Sequence, residues 1–147
     1  MHVALYQPDI AQNTAAIART AVCLRATLHI VGPAGFDLSQ RAVRRAGLDY
    51  LESATIERHL TFHAFRAAQR RIILFTTAGA VPLQDAPFRP GDTLLFGRET
   101  AGVPPQVHDA VDLRVKIPIV GRSLNLASAV AIGLWHARMT TNTVEAT

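Results

Sequence analysis

A chain of 147 residues suits one domain that buries most of its apolar surface without covalent staples. Its 49% hydrophobic and 18% charged residues exclude the polar, charge-rich usage of disordered chains, and a lone cysteine, Cys23, excludes a disulfide framework or thiolate cluster, leaving packing as its expected role. The formal charge of +4, carried almost wholly by arginine with Lys116 the only lysine, favours polyanionic partners because the guanidinium fork suits phosphate.

Val3 to Tyr6 reads as a short buried strand ended near Pro8, with a helix following from about Asn13. The opening residues lack the basic region and long apolar run of a signal peptide, and no apolar run approaches membrane-spanning length, so a cytoplasmic protein is expected. Thr27 to Val31 is the next strand. Asp37 to Ala46 reads as a helix that Gly47 closes, and on it Arg41, Arg44 and Arg45 share a face that is either solvated or an RNA contact. Asp49 to Glu57 has no decisive period. Leu60 to Arg70 fits a helix and Arg71 to Thr77 a strand. The prolines of Pro82 to Asp92 predict a loop before the strand Thr93 to Phe96.

Pro104 and Pro105 open a short helix, Leu113 to Ile119 forms a strand, and Leu124 to about Met139 forms the last helix. Strands alternating with helices predict an α/β protein with a parallel sheet flanked by helices. Residues 1–140 read as one domain and 141–147 as a polar tail. The last helix is apolar nearly all round from Leu126 to Trp135. Such a helix is covered on every side; periodicity does not choose between a central core helix and one partly in a homodimer interface.

Three segments leave polar residues or glycines where a strand of the sheet ends, the edge at which open α/β sheets bind ligands. In Asn13 to Arg19, Asn13 can cap a helix, with Arg19 almost two turns on. In Leu95 to Pro104, glycines let backbone approach a ligand, but neither a Walker loop nor a dinucleotide fingerprint is present. There Glu99 is expected to satisfy backbone donors at a helix start. In Ile117 to Leu126, Ser123 can cap the last helix beside the amide of Asn125; a serine nucleophile lacks visible acid and base partners. His59 and His63 share a face of the predicted helix without an evident third ligand, so metal binding is not expected.

In their order, Leu5-Tyr6-Gln7-Pro8-Asp9-Ile10, the Asn13 to Arg19 spacing, Arg44 to Tyr50, Phe96-Gly97-Arg98-Glu99 with Gly102, and Arg122-Ser123-Leu124-Asn125-Leu126 resemble the motifs of SPOUT-superfamily methyltransferases. The resemblance runs nearly end to end, to the minimal single-domain group that methylates a ribose 2′-hydroxyl at the tRNA wobble position. It implies a C-terminal trefoil knot, which no sequence rule shows, and a homodimer whose interface builds the active site. It also implies S-adenosylmethionine as cofactor, S-adenosylhomocysteine as product, the tRNA anticodon loop as partner, and no metal. Matching positions assign Phe75, Gly97, Ile117 and Ser123 to cofactor contact, with Thr76, Thr77, Glu99, Gly102, Leu124 and Asn125 around them, and Arg19, Asn13 and Arg122 to the catalytic side. Three departures stand out: Ala15-Ala16 where the family often has Gly-Asn, Ala127-Ser128 where it has Ser-Asn, and a short loop before Arg122. A base-methylating enzyme of the same fold and a non-catalytic RNA-binding relative are the alternative readings.

Overall fold

The computed structural model describes residues 1–36, 53–79 and 81–141. The expected helix from Asp37 with its Gly47 cap, the Arg41, Arg44 and Arg45 face, and nearly all of the polar tail lie outside the described residues. Among those described, the elements in chain order are β1 His2–Tyr6, α1 Ala11–Cys23, β2 Thr27–Val31, β3 Ile56–His59, α2 Phe62–Ala68, β4 Ile72–Phe75, β5 Val81–Pro82, a 3-10 turn Leu83–Asp85, β6 Thr93–Phe96, α3 Pro105–Ala110, β7 Leu113–Lys116 and α4 Leu126–Thr140.

The seven described strands form one sheet in the order β3-β2-β1-β6-β4-β7-β5, every pair parallel. Buried parallel strands need apolar residues on both faces, and β4 and β6 are buried throughout. Alternation divides them: Val3, Leu5, Leu28, Ile73, Leu94 and Phe96 pack with Ile17 and Ala18 of α1 and Val130 and Leu134 of α4. On the opposite face Ala4, Val31, Ile72, Leu74 and Leu95 pack with Phe65 of α2 and Val107 of α3. Each large side chain so buried contributes about 1.5–3 kcal/mol. Because β1 has β2 on one side and β6 on the other, the sheet grows in both directions from it, opening a crevice at the carboxyl ends.

Local chemistry moves several boundaries. α1 begins at Ala11 after Ile10, with no side-chain cap, so Asn13 lies inside the first turn instead of capping it. Cys23 is exposed and does not pack in the core. Thr61 caps α2, its hydroxyl accepting the Ala64 N–H at 3.1 Å, which leaves His59 at the end of β3 and not on a helix face with His63. The proline-rich stretch contains β5 and a 3-10 turn as well as loop. Asn125, not Ser123, caps α4.

α4 is not covered all round. Val130, Gly133, Leu134 and Ala137 are buried, while Ile132, Trp135 and Met139 are exposed at 41%, 51% and 40%. Their spacing of three and four places them on one stripe.

Candidate active site

Strand ends, one loop and the starts of two helices enclose an open cavity of about 520 Å³, within the size range of small-molecule sites. Phe75, Thr76 and Thr77 reach it from the end of β4, Gly97, Glu99 and Gly102 from the loop after β6, Ile117 from beyond β7, and Ser123, Leu124 and Asn125 from the approach to α4. Asn13 enters from α1. Every residue assigned by resemblance to the cofactor side therefore lines one cavity. On the catalytic side only Asn13 does so: Arg19 and Arg122 are exposed and lie outside the lining.

The loop after β6 is folded back on itself by paired backbone hydrogen bonds, Arg98 N–H to Gly102 O at 3.0 Å and Gly102 N–H to Arg98 O at 2.9 Å. Glycine is required at both ends. A Cβ on Gly97 would lie 2.6 Å from the Gly102 backbone, and Gly102 has φ +62, the left-handed region that disfavours side chains. Phe75 forms part of the wall, stacked on Phe96 at 4.7 Å between ring centroids and pressed against Gly133, where a Cβ would meet its ring at 2.6 Å.

A polar chain ties the three sequence segments together. The Ala127 N–H donates to Asn125 Oδ1 at 2.9 Å, Asn125 Nδ2 to Asn13 Oδ1 at 3.1 Å, and Asn13 Nδ2 to Glu99 Oε1 at 3.5 Å. A backbone N–H can only donate, so each amide in turn has one consistent orientation. The remaining Glu99 oxygen accepts the Asp9 N–H at 3.1 Å. Glu99 thus does satisfy a backbone donor, but one just ahead of α1; no helix starts at Glu99 itself.

Asp9 continues the network, accepting from Thr100 Oγ1 at 2.5 Å and facing Arg98 at 3.7 Å. A side-chain hydrogen bond between its carboxyl and that of Glu99, then that from Thr100, and the Arg98 guanidinium hold the Asp9 carboxyl below the ordinary range. Arg98 lines the cavity as well, and its Nε is buried with no hydrogen-bond partner among the described residues. A buried donor of this kind fits a ligand that brings an acceptor. The apolar walls, Ile10, Leu74, Val103, Ile119, Leu126 and Ala129 among them, suit a flat heterocycle. Sequence reasoning did not single out these walls or Arg98 as site residues, although Ile10, Arg98 and Leu126 stand inside quoted motifs.

Comparisons with known proteins agree with one another. The profile described as "SpoU rRNA Methylase family" matches residues 1–135. A curated relative from Ancylobacter novellus, named tRNA (cytidine(34)-2'-O)-methyltransferase, is 50% identical over 92% of this chain and 89% of its own. A solved structure described as "Structural insights into the 2-OH methylation of C/U34 on tRNA" superposes with a TM-score of 0.88 at 43% identity over 96% of each chain. An AdoMet-bound rRNA methyltransferase from Sinorhizobium meliloti superposes with a TM-score of 0.83 at 31% identity, covering 95% of this chain and 56% of its own.

Proposed function

Since the chain belongs to the SpoU rRNA methylase family, we propose that it is a tRNA 2′-O-methyltransferase acting on the ribose of the wobble nucleotide, cytidine or uridine 34, with S-adenosylmethionine as methyl donor. The observation that carries the reading is the convergence of segments distant in the chain on one cavity at the carboxyl edge of the sheet, joined by the Glu99–Asn13–Asn125 chain.

The cavity fits the cofactor in size, in its apolar walls and in the unpaired Arg98 donor. Phe75, Thr76, Thr77, Gly97, Gly102, Ile117, Ser123 and Leu124 would hold it, while Asn125 and Glu99 fix the loops around it. When bound, S-adenosylmethionine supplies an electrophilic methyl group, and S-adenosylhomocysteine is the product. The protein orients the acceptor ribose and stabilises charge on its oxygen. Arginine is always protonated and cannot serve as base, so Arg19 is assigned to the acceptor hydroxyl and adjoining phosphate, with Arg122 and Asn13 beside it. No metal is assigned to the reaction.

Arg19 and Arg122 stand outside the cavity lining, and α4 exposes an apolar stripe. Both features support a homodimer whose interface completes the acceptor side. The family resemblance supports a trefoil-knotted C-terminal half, and the cytoplasm is the compartment assigned. Among the described residues no helix is long and apolar enough to cross a membrane.

The test of the chemistry is alkaline digestion of RNA methylated by the protein. A ribose methyl removes the hydroxyl that attacks the adjoining phosphodiester, so an alkali-resistant dinucleotide is expected. Methyl groups recovered only on alkali-released mononucleotides would assign base methylation instead.

A further inference from the structure

Three histidines and a carboxylate meet on the α2 face of the sheet, and none of them lines the cavity. His29 of β2 is almost fully buried, at 1% exposure, and faces His2 of β1 on one side and β3 on the other. Its Nε2 lies 3.0 Å from His2 Nδ1, and its Nδ1 lies 3.0 Å from His59 Nε2 and 3.5 Å from Glu57 Oε2. Parallel register sets Glu57 directly opposite His29, and two-residue spacing brings His59 to the same face.

We propose that His29, His59 and Glu57 bind one divalent transition cation of the zinc class, with His2 as the group that orients His29. The three ligand atoms lie within 4.8 Å of one another. Tetrahedral zinc with bonds of about 2.0–2.1 Å spaces its ligand atoms about 3.3–3.4 Å apart, and the two separations at His29 Nδ1 bracket that value. A proton on Nδ1 would bond well to His59 but leave Glu57 at the long limit of a hydrogen bond, whereas a cation at the common centre engages all three.

The surroundings have the form that a metal site requires. With Nδ1 used for the metal, Nε2–H is left to donate to His2 Nδ1, which fixes the tautomer and orientation of the ligand ring. Phe65 packs edge-on against both His29 and His59. Glu57, whose side chain is 55% exposed, opens the site to solvent at an edge strand and leaves a fourth position for water. Two imidazoles and one carboxylate favour zinc, or copper at greater affinity, over magnesium or calcium. The cation would join β2 to β3 and stabilise the fold by linkage.

The experiment is calorimetric titration of the full chain, freed of metal by chelator, with Zn²⁺ alone, accompanied by thermal melting. One Zn²⁺ per chain is expected with a raised melting temperature, and Co²⁺ should give the intense visible absorption of a four-coordinate site. Glu57→Gln and His59→Gln should each weaken binding by more than about tenfold, the least that losing an outer group costs. The exposed neighbour His63→Gln should bind as the wild type does, and melting of each variant without metal establishes that it folds. Absence of stoichiometric binding in the wild type overturns the proposal; so does binding that survives in the double variant Glu57→Gln/His59→Gln.

Discussion

Asn125 carries two separate roles, and a well-chosen substitution divides them. Its Oδ1 caps α4 while its Nδ2 donates to Asn13. Alanine would remove both, at about 1 kcal/mol for the cap alone. Serine keeps a capping oxygen and cannot reach Asn13, so Asn125→Ser should melt close to wild type. Calorimetry should show S-adenosylmethionine binding weakened about 2- to 13-fold, the equivalent of about 0.5–1.5 kcal/mol, with RNA affinity unchanged. Equal loss for both ligands would contradict the assignment. Arg19→Ala, by contrast, should leave cofactor affinity intact and lower turnover about 100-fold or more at saturating RNA, as loss of a group that stabilises developing charge does; unchanged turnover removes Arg19 from the mechanism. Residues at strand ends were legible in the sequence because glycines and polar residues interrupt apolar runs there. The backbone partner of Glu99 was not: it is the N–H of Asp9, 90 positions away, which only the order of strands brings close.

The elements themselves follow mostly from periodicity, and the misses have physical causes. Thr93–Phe96 is bounded as its apolar run predicts. β5 is two residues long and includes a proline, so it has no alternation to detect. His59 and His63 share a helical spacing, but the Thr61 cap starts the helix between them. The histidine cluster was illegible for a related reason, since its members come from three strands and have no common spacing. In α4 composition spoke for burial on every side; within one chain the sheet covers one side, and the exposed stripe is left to the homodimer alternative that periodicity also allowed. Gly133 shows how that helix serves the cavity. Alanine there would ordinarily add about 1 kcal/mol of helix propensity, but its methyl would overlap the Phe75 ring, which is held between Phe88 and Phe96. Gly133→Ala should therefore gain no stability in thermal melting and should weaken cofactor binding several-fold by titration, about 1 kcal/mol or more of overpacking being typical. A stabilised variant with unchanged affinity would mean that the ring moves freely.

For the whole molecule, the proposed homodimer has the exposed stripe of Ile132, Trp135 and Met139 meeting its own copy across a twofold axis. Ile132→Glu should leave the monomer folded by circular dichroism, sediment as monomer at micromolar concentration, and lose most methyl transfer, because each new charge faces a like charge. A wild-type chain that is monomeric and fully active would overturn the dimer. Substrate choice also belongs to this scale: a single-stranded anticodon loop offers an unstacked nucleotide whose 2′-hydroxyl distinguishes RNA from DNA. The arginine-rich surface adds a phosphate contribution that should decline as salt rises. The most direct measurement replaces only the acceptor, comparing methyl transfer to a substrate tRNA with transfer to the same tRNA carrying 2′-deoxycytidine at the wobble position. Methyl transfer to the unmodified tRNA and none to the deoxy tRNA, with both binding the protein, is the predicted result; equal incorporation into the two would contradict it.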